Sequence, residues 1–308
     1  MNTIPAIDVL GLGCVAVDDL KYVAAFPAAD GKQQVHGRQR QCGGLTATAL
    51  VAAARLGARC GYAGVLGNDD LSEFALDCLR REGVDLSHVV RSPEARPIHS
   101  TIIVDEGRHT RAILFDLEGA VGASPLHPAE GVARSARVLL VDPLGVEGMI
   151  RAALIARQAG RAVVADFESD QHPRFGELLA LSDHLILSAE FARYLTGHHD
   201  PAAAARALWN DDRAAVVVTC GAEGCWRFSQ EDSVAVHLPA FAVRAIDTTG
   251  CGDVFHGAYA AALAGGVTLI ERVRFASAAA AIKATARGGQ AGIPRRPAVE
   301  QFLREYSA

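Results

Sequence analysis

Lysine is scarce in this 308-residue chain, since only three of its thirty basic residues are lysines: Lys21, Lys32 and Lys283. A Walker A loop needs a lysine between a glycine and a serine or threonine. Lys32 is the one lysine that follows a glycine, and it is followed by Gln33. The H-R-D and D-F-G motifs of protein kinases are also missing. The sequence therefore excludes a P-loop and a protein-kinase site as ways of holding a nucleotide.

Paired cysteines and long apolar runs are absent as well. The seven cysteines are odd in number and form no C-x-x-C pair, which disfavours a disulfide scaffold and a zinc site. No apolar run reaches the roughly 18 residues of a membrane span, and residues 1–5 lack the basic region of a secretory signal. The net charge of −5 disfavours a binder of nucleic acid or of membrane surfaces. We expect a cytoplasmic protein with free thiols.

Apolar residues, in contrast, make up 50% of the chain, against 21% charged residues. This composition is typical of a globular protein with a large core, and the length fits about two domains or one large α/β domain. Apolar segments alternate with helical patterns, which predicts a parallel sheet covered by helices on both faces. The predicted strands are 7–12, 59–65, 138–142, 162–166, 184–188 and 215–219, and the predicted helices are 46–56, 70–82, 146–159, 190–195, 201–209, 253–263 and 270–286.

Two regions, about 14–42 and 96–118, interrupt this alternation because they contain extended segments and no long helix. Within the second region, residues 98–104 alternate as a strand does, and residues 105–108 (D-E-G-R) are typical of a hairpin turn. We predict that both regions contribute strands to a small second sheet, which forms a lid or a subunit interface.

The segment with the clearest chemical meaning is 247–253, D-T-T-G-C-G-D, which leads directly into a predicted helix. Its glycines permit unusual backbone angles and the close approach of a ligand. The first turn of the helix supplies unpaired N–H groups and the positive end of a dipole, which together bind phosphate. An aspartate at the edge of such a pocket, here Asp253, can accept a proton from an alcohol. Phosphoryl transfer needs both features.

This string closely resembles the second signature of the ribokinase-like (PfkB) carbohydrate kinases, and the resemblance covers nearly the whole chain. Residues 42–49 (C-G-G-L-T-A-T-A) and 64–69 (G-V-L-G-N-D) are similar to the first signature, and 287–294 (R-G-G-Q-A-G-I-P) to the C-terminal loop on the nucleotide side. The resemblance implies one kinase domain over residues 1–308, an α/β fold with three α/β/α layers, a mostly parallel central sheet and a small β-sheet lid. It also implies ATP and Mg²⁺ as cofactors and a homodimer formed through the lid.

The resemblance further implies roles for individual residues. Asp253 is expected to be the catalytic base, with the N–H groups of Gly250, Cys251 and Gly252 as the anion hole for the γ-phosphate. The residues expected to contact the sugar are Asp18, Gly43, Gly44 and Thr48. The residues expected to line the nucleotide site are Thr219, Gly221, Gly224 and Gly289. The carbonyls of Asp247 and Thr249 stand where many relatives bind a monovalent cation, often K⁺.

The chain departs from the family at two of these places. Many relatives carry N-x-x-E where this chain has S-A-E-F at 188–191, so the carboxylate that helps to organise Mg²⁺ is displaced, and Glu190 is the candidate to replace it. Thr48 stands where ribokinases usually carry an asparagine that touches the sugar, which disfavours D-ribose as the substrate.

Within the family the chain most resembles sulfofructose kinases, followed by ketohexokinases. A sulfonate needs a cation and hydrogen-bond donors. Leu144 and Leu114, however, align with an arginine and an asparagine of the sulfofructose kinases. We therefore expect phosphorylation of a hydroxymethyl group on a ketohexose-like or related sugar, with sulfofructose as the alternative.

Two functions of other classes compete with a kinase. Residues 11–16 (G-L-G-C-V-A) fit a loose dinucleotide fingerprint, as in an oxidoreductase. The pair Asp18-Asp19 and Pro27 interrupt the helix that this fingerprint requires, and no second strand ends in an acid about 20 residues later. A non-catalytic sugar sensor on the same fold would be expected to lack the base or the glycines, and both are present.

Overall fold

The computed structural model describes residues 7–108 and 110–306. In chain order its strands are β1 (Ile7–Gly11), β2 (Ala16–Val23), β3 (Gly37–Gly43), β4 (Cys60–Tyr62), β5 (Val65–Leu66), β6 (Val90–Arg91), β7 (Ile98–Asp105), β8 (Thr110–Asp116), β9 (Ala136–Val141), β10 (Ala162–Asp166), β11 (His184–Ser188), β12 (Ala215–Thr219), β13 (Cys225–Phe228) and β14 (Val236–Leu238). Its helices are α1 (Leu45–Arg55), α2 (Asp70–Arg81), α3 (Glu130–Ser135), α4 (Val146–Gln158), α5 (Phe175–Ala180), α6 (Ala189–Thr196), α7 (Pro201–Leu208), α8 (Cys251–Ala264), α9 (Leu269–Ala284) and α10 (Arg296–Glu305).

The central layer is an eight-stranded sheet in the order β14-β13-β12-β11-β10-β9-β1-β4. The six strands from β12 to β4 are parallel, and β13 and β14 add an antiparallel edge. The carboxyl ends of β9, β10, β11 and β12 therefore lie side by side along one edge of the sheet, which is where open α/β sheets bind their ligands.

Buried side chains of the sheet alternate between two hydrophobic clusters. Val9, Val138 and Val164 belong to one cluster, with residues of α1, α2, α8, α9 and α10. Leu10, Leu139 and Val163 belong to the other, with residues of α4, α5, α6 and α7. Because side chains along a strand point alternately to opposite faces, the sheet is covered by helices on both sides. The predicted three-layer α/β/α fold is confirmed.

A second, four-stranded sheet has the order β3-β2-β7-β8, in which β2 and β7 are parallel and the two outer pairs antiparallel. Its strands lie within the two regions that interrupt the helical alternation, and the turn at 105–108 joins β7 to β8. We call this the small sheet. It continues directly into α1 through Gly43 and Gly44, so it is anchored beside the central sheet.

The structure corrects the predicted strand 59–65, which is wrong as one element. Cys60–Tyr62 pairs with β1 in the central sheet, whereas Val65–Leu66 pairs with Val90–Arg91 in a separate two-stranded sheet. The break falls at Gly64, where a Cβ would lie 2.1 Å from the Tyr62 hydroxyl. Helix α8 also begins at Cys251, two residues before its predicted start. No helix in the described ranges is long and apolar enough to cross a membrane.

Helix α8, which follows the D-T-T-G-C-G-D segment, is held in place by an unusually close approach to α1. A Cβ added to Gly257 would lie 2.0 Å from the carbonyl oxygen of Ala49. Only glycine allows this backbone contact, and it fixes the height of α8 above the central sheet.

We predict that Gly257→Ala lowers the free energy of unfolding by about 1–3 kcal/mol, because the methyl group forces two buried backbones apart. Urea denaturation monitored by circular dichroism measures this change. Gly176→Ala in α5 is the matched control, since a Cβ there meets nothing within 4 Å; it should be neutral or stabilising by up to about 1 kcal/mol. Equal effects of the two substitutions would show that α1 and α8 are not packed as described.

Candidate active site

Carboxylates gather at the carboxyl-end edge of the central sheet. Asp142 directly follows β9, Asp166 is the last residue of β10, and Glu168 comes two residues later. Because β9 and β10 are parallel neighbours, their ends bring these acids together. Asp253, in the first turn of α8, faces the same group, since the charges of Asp166, Glu168 and Asp142 all act on its pKa.

The start of α8 has the geometry of an anion site. Gly250 precedes the helix with φ of 75°, a left-handed conformation that glycine adopts without strain. The amide of Cys251 donates to the carbonyl of Thr248 at 3.2 Å, whereas the amides of Gly250 and Gly252 make no such turn bond within the described residues. Two of the three predicted anion-hole donors thus have no turn bond in the described part of the chain, and the third has one at 3.2 Å.

His256 lies one helical turn after Asp253 and joins three elements. Its Nδ1 lies 2.8 Å from the carbonyl oxygen of Gly252, and its Nε2 lies 3.0 Å from that of Ile186 in β11. Nδ1 is also 3.2 Å from Oδ2 of Asp166. Two carbonyls can only accept, so the ring satisfies both of them when both of its nitrogens carry a proton.

Burial and neighbouring charges shift the pKa values of the three acids and of His256 at this edge of the sheet. Removal from water raises the pKa of Asp253 well above its usual range, and the neighbouring carboxylate of Asp166 raises it further, while His256 opposes the shift. Burial likewise raises the pKa of Asp166. Glu168 keeps an exposed surface, yet partial loss of hydration around its carboxyl and the charge of Asp142 raise its pKa too. Burial lowers the pKa of His256, an effect that its two carbonyl partners oppose.

Asp142 has a positioning role that the sequence did not reveal. Its Oδ2 accepts from the amide of Cys14 at 2.6 Å and from the hydroxyl of Thr46 at 2.8 Å, and its Oδ1 accepts from the amide of Leu144 at 3.0 Å. Although burial raises the pKa of Asp142, these bonds oppose the shift. The side chain ties the end of β9 to the turn after β1 and to the start of α1.

The predicted sugar-contacting residues Asp18, Gly43 and Gly44 come together on the inner end of the small sheet. A Cβ on Gly43 would lie 2.4 Å from Oδ2 of Asp18, so the carboxyl group rests directly over this glycine. Gly44 has φ of 93°, and a Cβ there would meet the amide nitrogen of Ala16 at 2.7 Å. Burial raises the pKa of Asp18, while a hydrogen bond with Ser100 opposes this shift.

Thr48, the fourth predicted sugar contact, is buried in α1 and accepts a hydrogen bond from Nε2 of Gln290 at 3.1 Å. The loop that contains Gln290 also brings Gly289 to the anion site, because a Cβ on Gly250 would lie 2.9 Å from the carbonyl oxygen of Gly289. Gln290 was not singled out from the sequence. Its only signal was its place in the loop that resembles the nucleotide-side motif.

The other predicted nucleotide residues form the turn after β12. Thr219 ends the strand beside Ser188 of β11, and its hydroxyl donates to the carbonyl of Leu187 at 3.3 Å. Gly221 and Gly224 both have positive φ, of 58° and 93°, and flank a short 3-10 turn that leads into β13. These residues lie on the same edge of the central sheet as Asp166.

Glu190, the predicted Mg²⁺ ligand, lies exposed in the first turn of α6, where the hydroxyl of Ser188 accepts from the amide of Phe191 and caps the helix. Phe191 is buried in the core.

No group of three or more His, Cys, Asp or Glu side chains suited to a metal ion occurs in the described part of the chain. Oδ2 of Asp166, however, is buried and accepts no hydrogen bond from the described residues, although Nδ1 of His256 lies 3.2 Å away. Neither Asp166 nor Glu168 is predicted from the sequence as a site residue, although Asp166 ends a predicted strand.

Polar contacts hold the backbone at the predicted monovalent-cation position. The carboxylate of Asp247 accepts from the amides of Thr249 and Gly288, both at 2.9 Å. The backbone carbonyl of Asp247 accepts from Nζ of Lys283 at 2.8 Å.

A cleft of about 530 Å³ opens between the small sheet and the loop that precedes Gly250. Residues from β2, β3, β7 and β8 form one wall, and residues 244–249 with Arg287 and Gly288 form the other. Its charged lining residues are Arg111, Arg244, Arg287, Asp105, Glu106 and Asp247. The cleft therefore borders the anion site and carries balanced charge.

Comparison with known proteins agrees with this geometry. The pfkB family of carbohydrate kinases matches residues 8–296. The ribokinase of Haemophilus influenzae is 30% identical over 304 residues, which cover 95% of this chain and 97% of that protein. A crystal structure from Agrobacterium tumefaciens has a TM-score of 0.89 with 29% identity over 98% of each chain. The structure of Arabidopsis thaliana ribokinase complexed with ribose and ATP has a TM-score of 0.83 with 22% identity, covering 97% of this chain and 99% of that one. The chain belongs to the pfkB family of carbohydrate kinases, and it is a sugar kinase.

Proposed function

We propose that this kinase transfers the γ-phosphate of ATP to a hydroxymethyl group of an uncharged, ketohexose-like or related sugar. The observation that carries the proposal is the first turn of α8, where Asp253 stands beside the amides of Gly250 and Gly252, which make no turn bond within the described residues. A base and an anion site within one turn are what transfer of a phosphoryl group to an alcohol requires. The fold shared with a ribokinase that binds ribose and ATP supports it.

In this mechanism Asp253 takes the proton of the sugar hydroxyl as the oxygen attacks the γ-phosphorus. A new O–P bond forms, the bond from the γ-phosphorus to the bridging oxygen breaks, and ADP leaves. The raised pKa of Asp253 makes its carboxylate a stronger base than an ordinary aspartate. The amides of Gly250 and Gly252 donate to the phosphoryl oxygens that gain charge.

Mg²⁺ would neutralise negative charge on the phosphates, and it needs only one or two carboxylates in addition to phosphate oxygens and water. Asp166 and Glu168 fit this requirement, because Oδ2 of Asp166 lacks a hydrogen-bond partner in the described ranges and both acids face Asp253. Glu190 remains the candidate from the sequence, in the first turn of α6, which directly follows the neighbouring strand β11.

The small sheet is proposed to act as a lid. Asp18, Gly43 and Gly44 would bind the sugar at its inner end, and closure over the cleft would exclude water and limit hydrolysis of ATP. The nucleotide would lie along Thr219, Gly221, Gly224 and Gly289 on the opposite side of the anion site.

The cleft beside the proposed sugar site gives no support for a sulfonated sugar. Three arginines in its lining are matched by three carboxylates, and Arg111 lies 3.9 Å from the carboxylate of Asp247. The cleft therefore has no excess positive charge for a sulfonate. Leu114 is 62% exposed on β8 and offers no hydrogen-bond donor.

We also propose a homodimer formed through the small sheet, in a reducing compartment such as the cytoplasm. Strand β8 is an outer strand of that sheet, and Ile113, Leu114 and Phe115 are all exposed on it. An exposed apolar edge strand is a ready site for pairing with another chain. The seven free thiols agree with the compartment.

We predict that a screen of ketohexoses, aldoses, nucleosides and sulfo-sugars, read by ADP release, finds its highest kcat/KM with an uncharged hexose.

The substitution Asp253→Asn should lower kcat by about 100- to 10,000-fold. It should leave the dissociation constants of ATP and sugar nearly unchanged, as isothermal titration calorimetry would show. Unchanged turnover in this variant would refute the mechanism, and a preference for a sulfo-sugar would refute the proposed substrate class.

The pH dependence of kcat/KM tests the role of His256. Turnover should fall as pH falls through the pKa of Asp253, which lies above the usual value of about 3.9 for aspartate. Since His256 lowers that pKa, His256→Asn should raise it and move the acid limb of the profile to higher pH. A purely structural role would change the melting temperature and leave the limb in place, and a shift to lower pH would contradict the assignment.

The dimer is tested by sedimentation velocity. The wild type should sediment as a dimer, and the double variant Leu114→Lys, Phe115→Lys as a monomer, because like charges would face each other across the interface. Leu126→Lys is the matched control, since Leu126 is 78% exposed outside the small sheet. A monomeric wild type, or a control that dissociates equally, would refute the proposed interface.

A further inference from the structure

Lys283 is one of only three lysines in the chain, and its residue is completely buried, at 0% exposure. It lies in the last turn of α9, and its Nζ donates to the carbonyl of Asp247 at 2.8 Å. A buried ammonium group is costly unless polar partners replace the lost water. The ammonium group of Lys283 is therefore held at one specific position, against the loop that precedes the predicted anion site.

Several elements converge on this loop. The amides of Ile246 and Asp247 both donate to the carbonyl of Ala284 at the end of α9. The carboxylate of Asp247 holds the amides of Thr249 and Gly288. The ammonium group thus sits at the negative end of the α9 dipole, where a cation is favoured, and it braces the backbone that leads to Gly250.

Charged groups of both signs surround Lys283. Burial lowers the pKa of its ammonium group, and Arg111 on the small sheet lowers it as well, while Cys251, Asp247 and Asp253 oppose the shift. The same location takes a monovalent cation according to the resemblance, through the carbonyls of Asp247 and Thr249. A K⁺ ion on the Asp247 carbonyl would lie against the ammonium group, and two like charges in a site with little water repel strongly.

The residues present therefore do not fit a potassium ion at that carbonyl. We propose that the ammonium group of Lys283 takes the place of the monovalent cation, so that this kinase needs no K⁺. The two species carry the same charge, and an ammonium group offers three donors to surrounding oxygens. The consequence for turnover rests on the proposed kinase function, whereas the consequence for cation binding does not.

The first test uses the unmodified protein. Its kcat and kcat/KM should agree within about twofold between buffers containing K⁺ and tetramethylammonium, because a site that binds no ion has no coupling to it. Its melting temperature, measured without ATP or sugar, should be no higher in K⁺ than in Li⁺ at equal ionic strength. A severalfold activation by K⁺, or a melting temperature raised by K⁺ alone, would overturn the proposal.

The second test asks whether a monovalent cation binds at this position once the ammonium group is removed. Lys283→Met removes the ammonium group while filling much of its volume, and should lower both turnover and the melting temperature in tetramethylammonium buffer. K⁺ or NH₄⁺, but not Li⁺, should then raise turnover by about tenfold or more and raise the melting temperature of the free protein. Lys32→Met is the matched control, because Lys32 is exposed and its loss should produce no cation dependence.

The two readouts separate the possible failures. If no sugar is phosphorylated, the proposed function fails, and the melting temperatures still decide whether Lys283 replaces an ion. If Lys283→Met folds but gains no response to K⁺ or NH₄⁺ in either readout, Lys283 is a structural anchor and the proposal is wrong. If that variant does not fold, the measurements on the unmodified protein decide.

Discussion

Negative charge held out of water at the ends of β9 and β10 is the constraint on which this site depends. Asp142 and Asp166 are both buried, and they raise the pKa of Asp253. The chain offers little positive charge in return. His256 faces Asp166 and the carbonyl oxygens of Gly252 and Ile186, and the amides at the start of α8 supply partial positive charge. Further neutralisation would come from a bound cation, such as the Mg²⁺ of the proposed function.

The need to stabilise this buried negative charge also accounts for the close contacts that hold α8 in place. Gly257 allows its backbone to touch that of α1, and His256 joins it to β11. Amides that stabilise charge by being already in place must not move when the charge develops. A helix anchored on both sides within one turn of Asp253 meets that requirement, and a loop would not.

The sequence predicted the layers well because their signals are local. Apolar strands and alanine-rich helices recur in order, so the α/β/α fold and the glycine motif could be inferred from residues alone. Contacts between distant segments have no such signal. Thr48 and Gln290 are separated by 242 positions, and nothing in either segment indicates their hydrogen bond. Lys283 was visible as a rare lysine, but its partner is a backbone carbonyl, which every residue possesses. Asp166 ends a predicted strand, yet the fact that its Oδ2 accepts no hydrogen bond from the described residues is a property of the packed structure.

The loop 287–290 connects the small sheet with the start of α8. Gly288 donates to Asp247, and a Cβ on it would lie 3.0 Å from Oε1 of Gln41 in β3. Gly289 touches Gly250, and Gln290 reaches Thr48 in α1. One short loop therefore contacts the strand that would cover the sugar, the glycine that would bind the phosphate and the helix between them. In the proposed mechanism, sugar binding under the small sheet and phosphate binding at α8 would be coupled through this loop. Lys283 holds the neighbouring backbone carbonyl of Asp247, whose carboxylate accepts from Gly288.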